Sequence, residues 1–278
     1  MPEGDTIHRT ATRLARALVG KTIVRFESGV PELSRAKLAG RAVTAVDARG
    51  KHLAMRFDDG HVLLTHMRMT GSWHLYKAGE KWWRPAHEAR VVLGVGAEKG
   101  DPALVVVCFS APVVRLVRED EAERDLAALG PDVVADRFAP DAALAELRAV
   151  GGDRPIGVAI MDQSALAGVG NVYKSEVLIA ERVSPLARVA DLDDATLSAV
   201  VARARALMRR NVVPGRPTRT TPSGLAGARY AVYRRSGEPC PRCGAPIVRI
   251  VQGPMHRSTY YCPECQADAG REGGASGK

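Results

Sequence analysis

The sequence predicts an α+β protein of several domains, with a strand-rich N-terminal part, a helical middle and a small C-terminal cysteine module. Short apolar segments separated by turn residues fill positions 21 to 117, and apolar residues at helical spacing follow position 130. Four of the five cysteines lie in the last forty residues. A chain of 278 residues, 46% of them hydrophobic, is long enough for two modest domains with buried cores.

The N-terminal part is predicted to begin with one helix and to continue as short strands. Apolar residues recur at helical spacing over residues 7–18, Asp5 or Thr6 can cap this helix, and Gly20 can end it. Examples of segments with the composition of strands are 22–27, 42–48, 52–57, 62–67, 89–95 and 104–109. Many short strands at this spacing are typical of a sandwich or a barrel.

The middle of the chain is predicted to be helical. Four segments are amphipathic at helical spacing: 141–150, 155–163, 171–181 and 194–211. Residues 212–229 are rich in Pro, Gly, Thr and Arg and are predicted to form a linker. We therefore predict domains at 1–130, 131–228 and 229–267, followed by a disordered tail at 268–278.

The charge is unevenly distributed, which indicates an anionic partner. The net charge is +9, and residues 201–265 contain twelve arginines but only two acids. Residues 121–200 have the reverse balance, with fourteen acids and seven bases. A basic C-terminal third is typical of nucleic-acid binding.

The start of the chain lacks the features of a signal peptide, and no long apolar run follows. We therefore expect a cytoplasmic protein with no membrane partner. We also expect a monomer.

The C-terminal cysteines form two pairs with the spacing of zinc ligands. Cys240 and Cys243 form one Cys-x-x-Cys pair, Cys262 and Cys265 form the other, and eighteen residues separate the pairs. This spacing predicts a zinc ribbon that holds one structural Zn²⁺, because two pairs can supply all four tetrahedral ligands. A site closed in this way has no open position for catalysis. Cys108 lies in an apolar strand and is predicted to belong to the core.

Four separated motifs occur in a distinctive order. They are the Met-Pro-Glu-Gly start, Arg-Gly-Lys-His-Leu at 49–53, Asp-Gln-Ser-Ala-Leu-Ala-Gly-Val-Gly-Asn-Val-Tyr at 162–173, and Arg-Ser-Thr-Tyr-Tyr-Cys-Pro-Glu-Cys-Gln at 257–266. Together they resemble the formamidopyrimidine-DNA glycosylase and endonuclease VIII family, from Pro2 to Gln266. The Met-Pro-Glu-Gly-Asp-Thr start is most similar to endonuclease VIII proteins of actinobacteria.

This resemblance implies a β-sandwich that carries the N-terminal helix, a helix-two-turn-helix domain and a zinc ribbon. It also implies a bifunctional DNA glycosylase and AP lyase of base excision repair that removes oxidised bases, chiefly pyrimidines, from damaged DNA. A catalytically silent DNA-binding protein would be favoured by changes at Pro2, Glu3 or Lys51, and none of these is changed. A zinc-ribbon protein of transcription or translation would explain neither the start nor the 162–173 motif.

Pro2 and Glu3 are the first two catalytic candidates. Removal of the methionine would expose Pro2 as a secondary amine, and an α-amino group titrates near pH ~8, below a lysine at about 10.4. A useful fraction is therefore neutral and nucleophilic at neutral pH, and the resemblance implies that Pro2 forms a Schiff base with the sugar. The alternative is a simple processing preference. The resemblance makes Glu3 the acid that assists opening of the sugar ring, and the alternative is complementation of the helix dipole.

The resemblance assigns three further polar residues to the sugar or the DNA backbone. Lys51 would act in elimination beside the sugar and phosphate, Arg257 would act in the second elimination, and Asn171 would contact the backbone. Each has an ordinary alternative: a solvated lysine in a turn, a generic phosphate contact, and a helix N-cap.

Residues 66–71, His-Met-Arg-Met-Thr-Gly, match the family loop that fills the gap left by an everted base. Met69 is an apolar side chain suited to wedging into a base stack, and Arg68 lies beside it. We therefore expect both residues to contact DNA. In isolation, a methionine in such a stretch is more often part of the core.

Overall fold

The structure, a computed structural model, describes residues 2–98, 101–213, 219, 221–222 and 228–267. Its contacts divide the chain into two compact units, Met1–Ala128 and Leu129–Lys278. The predicted tail and most of the predicted linker lie outside the described residues. Within the described ranges, no helix combines the length and the apolar character that crossing a bilayer requires.

The described residues of the N-terminal unit form two antiparallel four-stranded sheets and two α-helices. The helices are α1 (Gly4–Leu18) and α2 (Glu119–Ala127). The strands are β1 (Ile23–Ser28), β2 (Val43–Arg49), β3 (His52–Phe57), β4 (His61–His66), β5 (Ser72–Lys77), β6 (Ala89–Glu98), β7 (Asp101–Phe109) and β8 (Val113–Arg118). One sheet has the order β1-β6-β7-β5 and the other has the order β2-β3-β4-β8.

The two sheets share one apolar core. Leu93 and Val106 from one sheet, and Leu53 and Leu63 from the other, are fully buried in the same cluster. Helix α1 packs on β2 and β3 and adds Leu14 to this core. The edge strand β1 alternates more and less exposed residues, whereas β3 buries three and β4 buries four residues in succession, and α2 packs on β4. The predicted β-sandwich with an N-terminal helix is thereby confirmed, and Cys108 is buried in the core as predicted.

Several predictions for this unit are wrong or incomplete. The patterns miss β5, β8 and α2, and α2 buries only Ala122 and Leu126 in a run that is otherwise polar. The residues predicted to cap the start of α1, Asp5 or Thr6, are also wrong. The helix begins one position earlier than Asp5, because the Glu3 carbonyl already accepts a hydrogen bond from the Ile7 amide at 3.1 Å. Glu3 is therefore the N-cap, and Asp5 lies inside the first turn with a buried side chain.

The described part of the C-terminal unit contains four helices and one hairpin. These are α3 (Pro140–Gly151), α4 (Ile156–Ala159), α5 (Asn171–Ala180), α6 (Asp194–Arg210), β9 (Val248–Gln252) and β10 (Arg257–Tyr261). The helices pack around a separate core that includes Leu147, Tyr173 and Leu197. The helix predicted over 155–163 is too long. It ends at Ala159, and Asp162 then accepts the Ser164 amide and hydroxyl and forms a turn.

Candidate active site and metal site

Pro2 lies immediately before the N-cap of α1 and lines a cavity of about 320 Å³ in the N-terminal unit. The first half of α1 forms one wall, and β5 with the loop before it forms another. The other lining side chains include Thr6, Thr10 and Arg13 from α1, Met67 and Gly71 from the loop, and His74, Tyr76 and Trp83. The cavity is large enough for a small planar ligand beside Pro2.

The cavity combines a cation, a neutral imidazole and aromatic rings. Burial lowers the pKa of His74, and the charges of Arg13 and Arg84 lower it further. The His74 ring lies 6.0 Å from the ring of Trp83, whose side chain is 82% exposed. An exposed tryptophan at a cavity is a surface on which a base can stack. Sequence reasoning missed His74 and Trp83, because β5 was not predicted and neither residue belongs to a motif.

Glu3 is fully buried directly after Pro2. Its backbone carbonyl accepts hydrogen bonds from the amides of Thr6 and Ile7 and so starts α1. A carboxylate that only complements a helix dipole normally remains solvated, because burial of a charge is costly. The buried position of Glu3 therefore favours a specific role beside Pro2.

Lys51 lies in the turn between β2 and β3, after Gly50, whose φ of 57° suits a glycine. The His52 and His66 rings meet edge to face with centroids 4.8 Å apart. Burial, followed by the charges of His52 and Lys51, lowers the pKa of His66 to about 4. Lys51 therefore lies within electrostatic range of His66, the residue that precedes Met67 at the Pro2 cavity.

The loop between β4 and β5 has one methionine inside and one outside. Met67 is buried in the sandwich core, whereas Met69 is 64% exposed. Arg68, between them, has a left-handed φ of 42°. Met69 is thus exposed on the loop and is not part of the core.

Asn171 is the first residue of α5, and the N-cap is Gly170. The alternative in which Asn171 caps the helix is therefore wrong, because the carbonyl of Gly170 already accepts the Lys174 amide at 2.8 Å. Asn171 is buried, and among the described residues its Oδ1 has no hydrogen-bond partner. This buried oxygen can accept a hydrogen bond from a donor group of a ligand, and the helix start beside it can bind an anion.

The four predicted zinc ligands converge. Their Sγ atoms all lie within 4.8 Å of one another. Cys240 lies 3.9 Å from Cys265, and Cys243 lies 3.4 Å from Cys262, between sulfur atoms. Tetrahedral Zn²⁺ with Zn–S bonds of about 2.3 Å requires sulfur atoms about 3.8 Å apart, whereas a disulfide requires about 2.05 Å. The cysteines form a site for one structural zinc ion, as predicted.

Arg257 is the first residue of β10, opposite Gln252 of β9. This hairpin follows the first cysteine pair and leads into the second, and it packs on α5. The Lys174 Nζ donates to the Ser258 carbonyl at 3.1 Å, and the Tyr260 amide donates to the Ser175 Oγ at 3.2 Å. Helix α5 therefore carries Asn171 at its start and supports the strand that begins with Arg257.

Comparisons with known proteins agree on one family. Residues 1–103 match the formamidopyrimidine-DNA glycosylase N-terminal domain, 129–223 match the helix-two-turn-helix domain of the same glycosylase, and 237–267 match the zinc finger found in FPG and IleRS. "Probable endonuclease 8 2" of Streptomyces coelicolor is 39% identical, over 100% of this chain and 98% of that protein. The "DNA-(apurinic or apyrimidinic site) lyase Nei2" of Mycolicibacterium smegmatis is 36% identical, over 96% of this chain and 99% of that protein.

Solved structures show the same architecture. The MutM (Fpg) protein of Thermus thermophilus is 30% identical with a TM-score of 0.75, and the match covers 96% of this chain and 99% of that chain. A Lactococcus lactis formamidopyrimidine-DNA glycosylase bound to DNA with an AP site is 21% identical with a TM-score of 0.78, over 96% of this chain and 100% of that chain. The fold, the cysteine site and these relatives together place the chain in the formamidopyrimidine-DNA glycosylase and endonuclease VIII family, in which its relatives include endonuclease VIII proteins of actinobacteria.

Proposed function

We propose that the amine of Pro2 is the nucleophile with which this chain excises oxidised bases, chiefly pyrimidines, from DNA. As a member of its family the chain is a bifunctional DNA glycosylase and AP lyase of base excision repair, and its partner is damaged DNA. We also propose that it works as a monomer on chromosomal DNA in the bacterial cytoplasm. The residue roles that follow belong to this proposal.

Base release begins with attack of the Pro2 nitrogen on C1′ of an everted nucleotide. The bond from C1′ to the base breaks, and the base leaves with the bonding electrons and a proton. Glu3 supplies a proton to O4′ as the sugar ring opens, which leaves an iminium between Pro2 and C1′. Covalent catalysis of this kind divides one difficult step into two easier ones.

Strand cleavage then proceeds from the iminium by two eliminations. Loss of a proton from C2′ expels the 3′ phosphate, and a second elimination expels the 5′ phosphate. Lys51 stabilises the sugar and phosphate in the first part of this sequence, and Arg257 assists the second elimination. Asn171 holds the DNA backbone, and Met69 fills the gap in the stack with Arg68 beside it.

The position of Pro2 in a ligand-sized cavity carries this proposal. A nucleophile must lie where the substrate base can also be placed, and the cavity wall supplies a ring surface at Trp83 and a cation at Arg13. A planar base with several carbonyl oxygens suits both groups, since Arg13 donates hydrogen bonds and Trp83 can stack. Oxidised pyrimidines have this character.

A panel of duplex oligonucleotides, each with one defined lesion or a preformed AP site, tests the proposal. The expected products are free base and a gap with phosphate at both ends, with faster release of oxidised pyrimidines than of oxidised purines. Comparable rates for both classes would overturn the pyrimidine preference. Tight binding without base release on every lesion would overturn the enzymatic assignment and favour a silent DNA-binding protein.

A further inference from the structure

A polar cluster around Arg84 joins three segments of the N-terminal unit. Arg84 and Glu88 lie between β5 and β6, and Ser110 lies between β7 and β8. The guanidinium of Arg84 forms an ion pair with Glu88, and the side chains are only 31% and 27% exposed. The Ser110 Oγ donates to the same Glu88 carboxylate at 2.9 Å.

Arg84 also reaches the loop that carries Met69. Its Nη1 donates to the Thr70 carbonyl at 3.0 Å and to the Ser72 Oγ at 3.3 Å, and its Nη2 donates to the Ser110 Oγ at 3.0 Å. The Thr70 Oγ1 in turn donates to the Ser110 carbonyl at 2.9 Å. One guanidinium thus connects all three segments, and Thr70 is held through both its backbone and its side chain.

Two further hydrogen bonds hold the Met69 loop without involving Arg84. The Arg68 amide donates to the Nδ1 of His66 at 3.1 Å, and the Gly71 amide donates to the Met67 carbonyl at 2.9 Å. A Cβ on Gly71 would lie 2.8 Å from the Met67 Cα, so the loop closes tightly there. The backbone on both sides of Met69 is held while its side chain remains exposed.

We propose that Arg84 is a positioning residue that holds the Met69 loop rigid so that Met69 can displace a stacked base. The inference rests on the proposed function, because it requires that Met69 enters DNA. A wedge that opens a base stack works against a few kcal/mol of stacking free energy per step. A loop that yielded would move back instead of opening the stack, so its support affects eversion directly.

The cluster could instead serve only the stability of the sandwich. A purely structural role predicts that loss of Arg84 lowers the melting temperature and reduces every activity, whatever residue occupies position 69. A positioning role predicts that the loss depends on Met69. Replacement of Arg84 by lysine separates the structural role from the positioning role further, because a single ammonium keeps the charge but cannot reproduce the planar set of donors.

A double-mutant cycle with Arg84→Ala, Met69→Ala and the combined variant tests the inference. The readouts are single-turnover base release from a duplex lesion and the fluorescence of 2-aminopurine beside the lesion, which reports eversion. Arg84→Ala should slow both by about tenfold in the wild-type background, and much less when Met69 is already alanine, as residues in one network behave. Arg84→Lys should give an intermediate loss. The matched control is Arg25→Ala, which removes an exposed ion pair with Glu27 in the same unit and should change neither readout.

The possible outcomes separate this inference from the proposed function. Additive losses in an active protein, or a Met69→Ala variant with wild-type eversion, would overturn the positioning role alone. Wild-type protein that releases no base would overturn the proposed function and this inference with it. Thermal melting of each variant shows whether the fold is intact, and a variant that is folded at the assay temperature is required for each comparison.

Discussion

Glu3 and Met69 each lie in an environment that is unusual for their residue type. Glu3 is fully buried, and Met69 is 64% exposed. Buried charges and large exposed apolar groups are the informative exceptions to normal burial, because each is unfavourable for folding alone. Glu3 lies next to Pro2, and Met69 lies on the loop whose Met67 lines the Pro2 cavity. Both exceptions therefore occur around the proposed nucleophile.

Separate replacement of Lys51 and of Arg257 should affect different steps of the reaction. Arg257→Ala should still release the base but should slow the second elimination by about a hundredfold, the scale of one lost donor that stabilises developing negative charge. Lys51→Ala should impair base release on some lesions and retain more cleavage at a preformed AP site, where no base remains. Gel analysis of single-turnover products at saturating enzyme removes the binding contribution. Equal product ratios for wild type and Arg257→Ala would reduce Arg257 to a phosphate contact.

His66 should make folding stability depend on acidity. Its folded pKa is lowered to about 4, below the usual value of 6.5, chiefly by burial. The unfolded chain therefore binds the proton first, so this contribution to stability is complete above about pH 6.5 and is lost as the pH falls towards about 4. Urea denaturation of wild type and His66→Gln at about pH 7.5 and about pH 5 measures it, and the variant should lose less stability on acidification. An equal loss in both proteins would contradict the assignment to His66.

Helix α5 organises the C-terminal unit, because other segments of this unit bind to its side chains. Beyond Asn171, Lys174 and Ser175, it contributes Glu176, whose buried carboxylate accepts the backbone amides of residues 231, 232 and 233 at 2.8, 2.9 and 2.8 Å. This helix therefore anchors both β10 and the segment that leads into the cysteine module. Its residues 171–179 are all buried, which leaves it no solvent-facing stripe apart from its end.

Glu176→Ala should destabilise the protein by about 3 kcal/mol, because the buried amides of residues 231 and 232 and the half-buried amide of residue 233 lose their acceptor. Glu146→Ala is the control, since that carboxylate is exposed on α3 and its loss should cost no more than about 0.5 kcal/mol. Chemical denaturation of both variants gives the comparison. Equal stability of the two variants would show that the amides find other partners.

The hairpin of β9 and β10 should depend on the zinc ion for its structure. Cys262→Ala should lower the zinc content from about one ion per chain to near zero and weaken DNA binding, because ligand loss removes local folding energy. Cys108→Ala changes a buried thiol in the other unit and should keep its zinc. Metal analysis and a DNA-binding titration check both variants. Zinc that remained in Cys262→Ala would show that this thiol is not a ligand.

Local patterns predicted some elements closely and could not predict others. The strand over 52–57 and the start of α5 at Asn171 lie where the apolar pattern and the turn residues put them. β5 was missed because Ser72–Lys77 mixes serine, histidine and tryptophan, and its burial comes from pairing with β7. Arg84 was missed for a similar reason, because its partners Thr70, Glu88 and Ser110 are brought together only by the folded sheets.

At the scale of the whole molecule, motifs predicted more than periodicity did. Pro2, Lys51, Arg257 and the cysteine pairs stand in short motifs that resemble those of the family, so the sequence indicated them as candidates. The cavity around Pro2 is assembled from α1, the β4–β5 loop and β5, which are distant in sequence. No local pattern describes a surface made in this way, and the aromatic wall at Trp83 was therefore found only in the folded chain.

Covalent trapping tests most directly whether Pro2 is the nucleophile. Protein with its initiator methionine removed is incubated with AP-site DNA and borohydride, which reduces an iminium to a stable cross-link. Mass spectrometry of the digested complex should place the sugar on the peptide that begins with Pro2, and extra residues before Pro2 should abolish trapping. A cross-link to an internal lysine such as Lys51, or undiminished trapping with extra residues before Pro2, would contradict the account.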